Sequence, residues 1–133
     1  MLASGFSFVE LYVEEPQVYA RIFCEALGFH VLRDEGDFME LRTDRAIVLL
    51  NAFADLDEGH PFEDFRTQPR RGIGVEIGVV VADVVAARAR AAALPGCQVS
   101  EVVTQDWGMT DFRILTPHGY YLRVTSPKED ATA

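Results

Sequence analysis

The chain lacks the marks of export, membrane insertion and nucleic-acid binding. It has only two cysteines, Cys24 and Cys97, and they show neither a CxxC nor a metal-type spacing. A disulfide framework or zinc module is therefore not expected, and both thiols are predicted to be small buried side chains. No basic region precedes the apolar stretch Phe6–Val13, which is too short and interrupted for an export segment, and no run of residues is long enough for a membrane span. These absences predict a soluble, cytoplasmic protein with no membrane partner. Positive charge is scarce as well: 12 Lys and Arg against 21 Asp and Glu give a formal net charge of −9. Phosphate binding needs a basic surface, so nucleic acid is excluded as a partner, while a cationic ligand is compatible with this balance.

What is present suits one compact domain over residues 1–133: 49% of residues are hydrophobic, enough to build a core at this length. Phe6–Val13 alternates, with Val9, Leu11 and Val13 on one face and Phe8, Glu10 and Tyr12 on the other. Glu14-Glu15-Pro16 opens a helix that runs to about Leu27, with Val18, Ile22, Phe23 and Ala26 on one stripe and Gly28 as its stop. Strands are expected from Phe29 to Leu32, Phe38 to Leu41 and Ala46 to Phe53. Residues 54–71 lose all periodicity and form a linker, with a possible second role as a lip over a site. Gly72–Val81 is a strand, Asp83 a helix N-cap, Val84–Leu94 an alanine-rich helix closed by Pro95-Gly96, and Gln98–Val103 a strand. Residues 109–115 and 120–125 then form a hairpin about the turn Thr116-Pro117-His118-Gly119, and 128–133 is a tail.

The order β-α-β-β-β thus occurs twice, over about 6–53 and 72–127. The helix-opening acids Glu15 and Asp83 are 68 residues apart, which points to one supersecondary unit used twice. The ordered set LYVEEP…YARIFCEALGF, VVVAD…ARARAAALPG and DWGMTDFRILTPHGYYLRV resembles the vicinal oxygen chelate superfamily of glyoxalases, extradiol dioxygenases and bleomycin-resistance proteins. The resemblance implies an α+β fold of two βαβββ modules, each a curved sheet around a cleft, and a homodimer that pairs modules. It also implies metal-ligand positions on the first and last strand of each module. Here these fall at Phe8, Leu49, Glu76 and Arg123. Phe, Leu and Arg offer no lone pair, and one carboxylate is too few for a catalytic metal, so neither metal nor other cofactor is expected. His30, His60 and His118 sit at a strand start, in the linker and in a turn, as ordinary surface residues.

Strand alternation instead predicts a cleft lined by Phe8, Glu10, Tyr12, Asn51, Glu76, Phe112, Tyr121 and Arg123, with the only tryptophan, Trp107, at its rim. Glu76 and Arg123 are expected to pair where relatives hold a metal. The WGMTDF segment resembles the metal-free bleomycin-resistance group. This implies a protein that sequesters an antibiotic of aromatic or cationic character (bleomycin-, mitomycin- or enediyne-like) without altering it. The alternatives are an enzyme using Glu76 or Glu10 as general base, a metal-dependent lyase or dioxygenase, and a dimeric scaffold with no ligand of its own.

Overall fold

Two five-element repeats become two sheets with the same strand order. The computed structural model describes residues 3–128, so the expected tail lies, beyond Lys128, outside the described residues. The chain divides into two compact units, Met1–Gln68 and Pro69–Ala133. In the first unit the strands are β1 (Val9–Val13), β2 (His30–Asp34), β3 (Phe38–Arg42) and β4 (Ile47–Ala52). Their order is β1-β4-β3-β2, with β1 parallel to β4 and the other pairs antiparallel. In the second unit β5 (Glu76–Val80), β6 (Gln98–Val99), β7 (Val103–Thr104), β8 (Thr110–Leu115) and β9 (Tyr121–Thr125) give the order β5-β9-β8-β6, with β7 also on β8. Again the first strand is parallel to the last. The fold is thus the α+β pair of βαβββ units that the repeat implies.

Helix chemistry sets where each unit turns. Helix α1 (Pro16–Arg21) begins with proline, whose fixed φ and missing N–H suit a first helical position. It continues as a wider π-type turn over Ile22–Ala26. Gly28 adopts φ 81° and the Phe29 N–H donates to the Phe23 carbonyl at 3.0 Å, a left-handed stop that glycine adopts at little cost. Tyr19, Ile22, Phe23 and Ala26 are buried beneath this helix, whereas Val18 is only half-buried. Helix α2 (Val84–Ala92) is capped by Asp83, whose carboxylate accepts from the Ala86 N–H at 3.0 Å.

Several strands are shorter than the pattern predicts. Residues 72–75 are a turn, because Gly72 and Gly74 take positive φ and the Val75 N–H donates to the Gly72 carbonyl. The strand expected over 98–103 is broken into β6 and β7 by a bulge. There Ser100 occupies both backbone groups of Arg113: its N–H donates to the Arg113 carbonyl, and its hydroxyl accepts from the Arg113 N–H at 2.8 Å. The cysteines are free and half-buried, not fully buried as expected. Burial pushes both thiols up, with Glu25 adding to the effect at Cys24, so neither is an activated nucleophile.

One face of each sheet is core. Leu11, Val13, Met39, Leu41, Val48 and Leu50 are buried on the side where α1 packs on β3 and β4. In the second unit Phe112, Ile114, Leu122 and Val124 are fully buried on the side of α2. Phe112 therefore corrects the expectation that it lines a cleft with Arg123: its cross-strand partner is Val124, on the face opposite Arg123. Trp107, by contrast, is 56% exposed.

Two measurements check this assignment. Phe112→Ala should cost about 3–5 kcal/mol in urea unfolding, as a large core truncation does, whereas Trp107→Ala should cost no more than about 1 kcal/mol; equal costs would mean that the faces are wrongly assigned. A second check concerns Asp55, in the helical turn Phe53–Asp55. A hydrogen bond with the Asp37 side chain raises its pKa, with burial and the Asp37 charge contributing less. A raised folded-state pKa means that this contribution is present at low pH and is lost as pH rises through that pKa. Asp55→Asn should therefore leave stability unchanged at acid pH and raise it at neutral pH. A variant less stable than the parent at pH 7 would contradict the pairing.

Candidate functional site

The predicted site residues divide between the units. Phe8, Glu10, Tyr12 and Asn51 belong to the first, and Glu76, Trp107, Phe112, Tyr121 and Arg123 to the second.

On the first sheet, Glu10 lies opposite Leu49 and Tyr12 opposite Asn51, all half-buried and on the face away from α1. Phe8 precedes β1 and is 52% exposed. The Tyr12 ring sits in an aromatic group: its centroid is 5.5 Å from Phe62 and 6.3 Å from Phe53, both edge-on, and 5.2 Å from the His60 ring. Such edge-on pairs contribute about 0.5–1.5 kcal/mol each beyond area burial. The segment 54–71, expected as linker or lip, thus brings His60 and Phe62 onto this sheet. His60 is not the ordinary surface residue expected. Its Nδ1 accepts from the Phe62 N–H at 3.0 Å, which in a neutral ring leaves the proton on Nε2, facing the Tyr12 hydroxyl at 3.5 Å. Burial, then the carboxylates of Glu10 and Asp57, push the Tyr12 phenol up, so it remains protonated.

The second sheet carries the richer chemistry. Between β7 and β8 the Gly108 N–H donates to the Gln105 carbonyl at 2.9 Å and Gly108 takes φ 91°. This is a three-residue hairpin loop with glycine in the left-handed position, and Trp107 lies at its tip. From there its ring lies over the Arg123 guanidinium, with Cζ 5.6 Å from the centroid. Arg123 in turn reaches Asp111, Nη2 to Oδ2, at 3.4 Å. Arg113, directly opposite Arg123 in the ladder, reaches the same Oδ2 with Nη1 at 3.5 Å. The other Asp111 oxygen accepts from the Gln105 side chain at 3.0 Å. Only 2% of Asp111 is exposed.

The expected Glu76–Arg123 pair is not formed. Glu76 lies opposite Tyr121, and its carboxylate is 3.6 Å from Nε of Arg113. Two residues that the sequence reading passed over, Asp111 and Arg113, therefore connect the two that it chose. Beside them, Glu76 and Tyr121 line an open hollow of about 390 Å³, together with Arg70, Ile73, Val75 and the glycines 72, 74 and 119. That volume lies within the range of small-molecule sites. Gly119 fits only as glycine: its φ is 102°, and a Cβ there would collide with the Arg70 side chain.

No protein-family model and no curated protein matches the sequence. Solved structures do match in fold. A glyoxalase-related enzyme from Fulvimarina pelagi superposes with TM-score 0.71 at 15% identity, covering 92% of this chain and 88% of that one. The fold is that of the glyoxalase/bleomycin-resistance/dioxygenase proteins. A member of that family described as an enzyme, from Burkholderia phytofirmans PsJN, gives TM-score 0.70 at 16% identity over 90% of this chain and 96% of that one. The bleomycin resistance determinant encoded on transposon Tn5 gives 0.62 at 16% identity over 95% and 100%.

A metal of the kind found in glyoxalase-type enzymes does not fit the residues present. Among the described residues no group of three or more His, Cys, Asp or Glu side chains is placed to hold one. The only carboxylate at an expected ligand position, Glu76, faces the Arg113 guanidinium. No helix among the described residues is long and apolar enough to cross a membrane.

The two carboxylates of this face have different structural weight. Asp111→Ala should destabilise the protein by about 1–3 kcal/mol, the cost of removing the partner of buried polar groups. Glu76→Ala should change stability by less than about 1 kcal/mol, as for an exposed pair. Urea midpoints in the reverse order would contradict the arrangement.

Proposed function

We propose that the chain is a non-catalytic binding protein that holds an aromatic small molecule, in the manner of an antibiotic-sequestering resistance protein. The observation that carries this reading is Trp107, a large ring exposed at a hairpin tip, in contact with an arginine and set on a sheet where the described residues offer no metal-ligand set. The fold shared with a bleomycin resistance determinant supports it. Bleomycin-, mitomycin- and enediyne-like compounds are the ligands proposed. Glu76, Tyr121 and Arg123, with Trp107, are proposed to contact the ligand on the second sheet; Phe8, Glu10, Tyr12 and Asn51 are proposed as ligand-binding residues of the first. The place of action proposed is the cytoplasm.

Self-association belongs to the same proposal. β5 is an edge strand, and Val75 just before it and Val80 at its end are 55% and 61% exposed, an edge of the kind that a second copy covers. A second functional reading is an enzyme, favoured by the two neighbours described as enzymes. In that case Glu76 or Glu10 would serve as the base.

Titration of DNA-cleaving antibiotics of the three classes, followed through the fluorescence of the single tryptophan, tests the reading. A hit should be recovered chemically unchanged and bind Trp107→Ala about tenfold more weakly, the loss expected for stacking and burial of one ring. The protein should sediment as a dimer. Recovery of a converted product would establish the enzyme instead, and equal affinity for both proteins would remove Trp107 from the site.

A further inference from the structure

The two arginines of the second sheet are under-used. Neither the Arg113 nor the Arg123 guanidinium donates a hydrogen bond to another described residue; the one side-chain bond at Arg113 is made by its backbone N–H, to Ser100. Their contacts to Asp111 and Glu76 are ion pairs at 3.4–3.6 Å, longer than a well-made charge-assisted bond. Nη1 of Arg113 and Nε of Arg123 are buried without a hydrogen-bond partner, and so is Oδ2 of Asp111. A guanidinium has five N–H donors in a planar fork, and buried donors without acceptors are costly. Asp111 cannot supply what is missing. One of its oxygens serves Gln105 and the other is divided between two cations. The remaining counter-charge is Glu76, whose side chain is 42% exposed and whose carboxylate stands 3.6 Å from Arg113.

We propose that Arg113 and Arg123 form a subsite for a planar oxyanion, the carboxylate of an aromatic ligand, and that Glu76 is the counter-ion such a ligand displaces. The inference rests on the binding role proposed above and specifies its ligand class. It departs from the cationic ligand that the net charge of −9 favours. Net charge describes the whole surface. Recognition depends on the few groups in contact, and here those are two loosely paired guanidiniums whose side chains are 27% and 26% exposed. The exposed Trp107 ring lies over Arg123, so a ligand ring stacked on the indole brings an attached carboxylate to the same guanidinium. The hollow beside Glu76 receives the rest of the molecule, and Arg70 on its wall adds a further cation.

The test is calorimetry of 2-naphthoate and 2-naphthylmethylammonium, equal in ring and opposite in charge, on the wild-type protein and on two variants. Wild type should bind naphthoate at least about tenfold more tightly than the amine, since charge-assisted bonds form only with the anion. Glu76→Gln removes a competing carboxylate from an exposed position and should tighten naphthoate binding several-fold while leaving the amine unchanged or weaker. Arg123→Lys keeps the charge and loses the fork, and should weaken naphthoate by about tenfold. Circular dichroism confirms that each variant is folded. Equal or preferred binding of the amine, or weaker naphthoate binding by Glu76→Gln, would overturn the subsite and leave the binding role standing. No naphthoate binding while an antibiotic binds would do the same. A protein that binds naphthoate and converts it would overturn the binding role and retain the subsite.

Discussion

The register between β8 and β9 decides which chemistry this protein displays. Side chains alternate along a strand with period two, so a slip of one residue moves every group to the opposite face. Leu115 stands opposite Tyr121, which places Arg113 opposite Arg123 and Asp111 opposite Thr125, and sends Phe112, Ile114, Leu122 and Val124 to the core. The alternative register would press two arginines and an aspartate against α2 and bring four large apolar groups into water. The turn enforces the choice. Both the N–H and the hydroxyl of Thr116 donate to the Tyr120 carbonyl, at 3.0 and 2.8 Å, and His118 and Gly119 take the positive φ that closes it. On the far side of β8, Ser100 fixes the backbone of Arg113 from both its groups.

Charge on the resulting face is nearly balanced but poorly paired. Two guanidiniums share one buried carboxylate oxygen, and the second carboxylate stays near solvent. A well-closed network would have shorter bonds and no vacant donors. Poor closure costs stability in the free protein. A metal would need lone pairs where this chain offers guanidinium nitrogens and rings. A shared fold does not by itself carry shared chemistry, because function depends on the side chains set on a fold.

The architecture was legible because its signals are local and repeated. Asp83 as a cap, Gly28 as a stop, and two acid-to-helix landmarks at equal spacing each have a direct physical reading, and each fold unit follows. Strand ends were less legible: glycines 72 and 74 look like part of an alternating run until their positive φ makes a turn of it. The site was half legible. Glu76, Tyr121 and Arg123 share one face as alternation predicts, but Phe112, expected beside them, lies on the other. Counting outward from the centre of the turn at His118 pairs 115 with 121 and 113 with 123, and the same count brings in Asp111 and Arg113. That signal was available. The His60–Tyr12 contact was not, since residues 54–68 have no periodicity from which to infer where a ring will pack.

The proposed binding role requires the indole of Trp107 and the guanidinium of Arg123 to act as one recognition surface. The most direct measurement is a heteronuclear NMR titration that follows the single indole N–H and the arginine Nε–H signals as 2-naphthoate is added. The Trp107 indole and the Nε–H of Arg123 and Arg113 should shift together along one saturation curve, with the arginines of the first unit still. Shifts confined to residues elsewhere, or a Trp107 response with Arg123 unmoved, would contradict it.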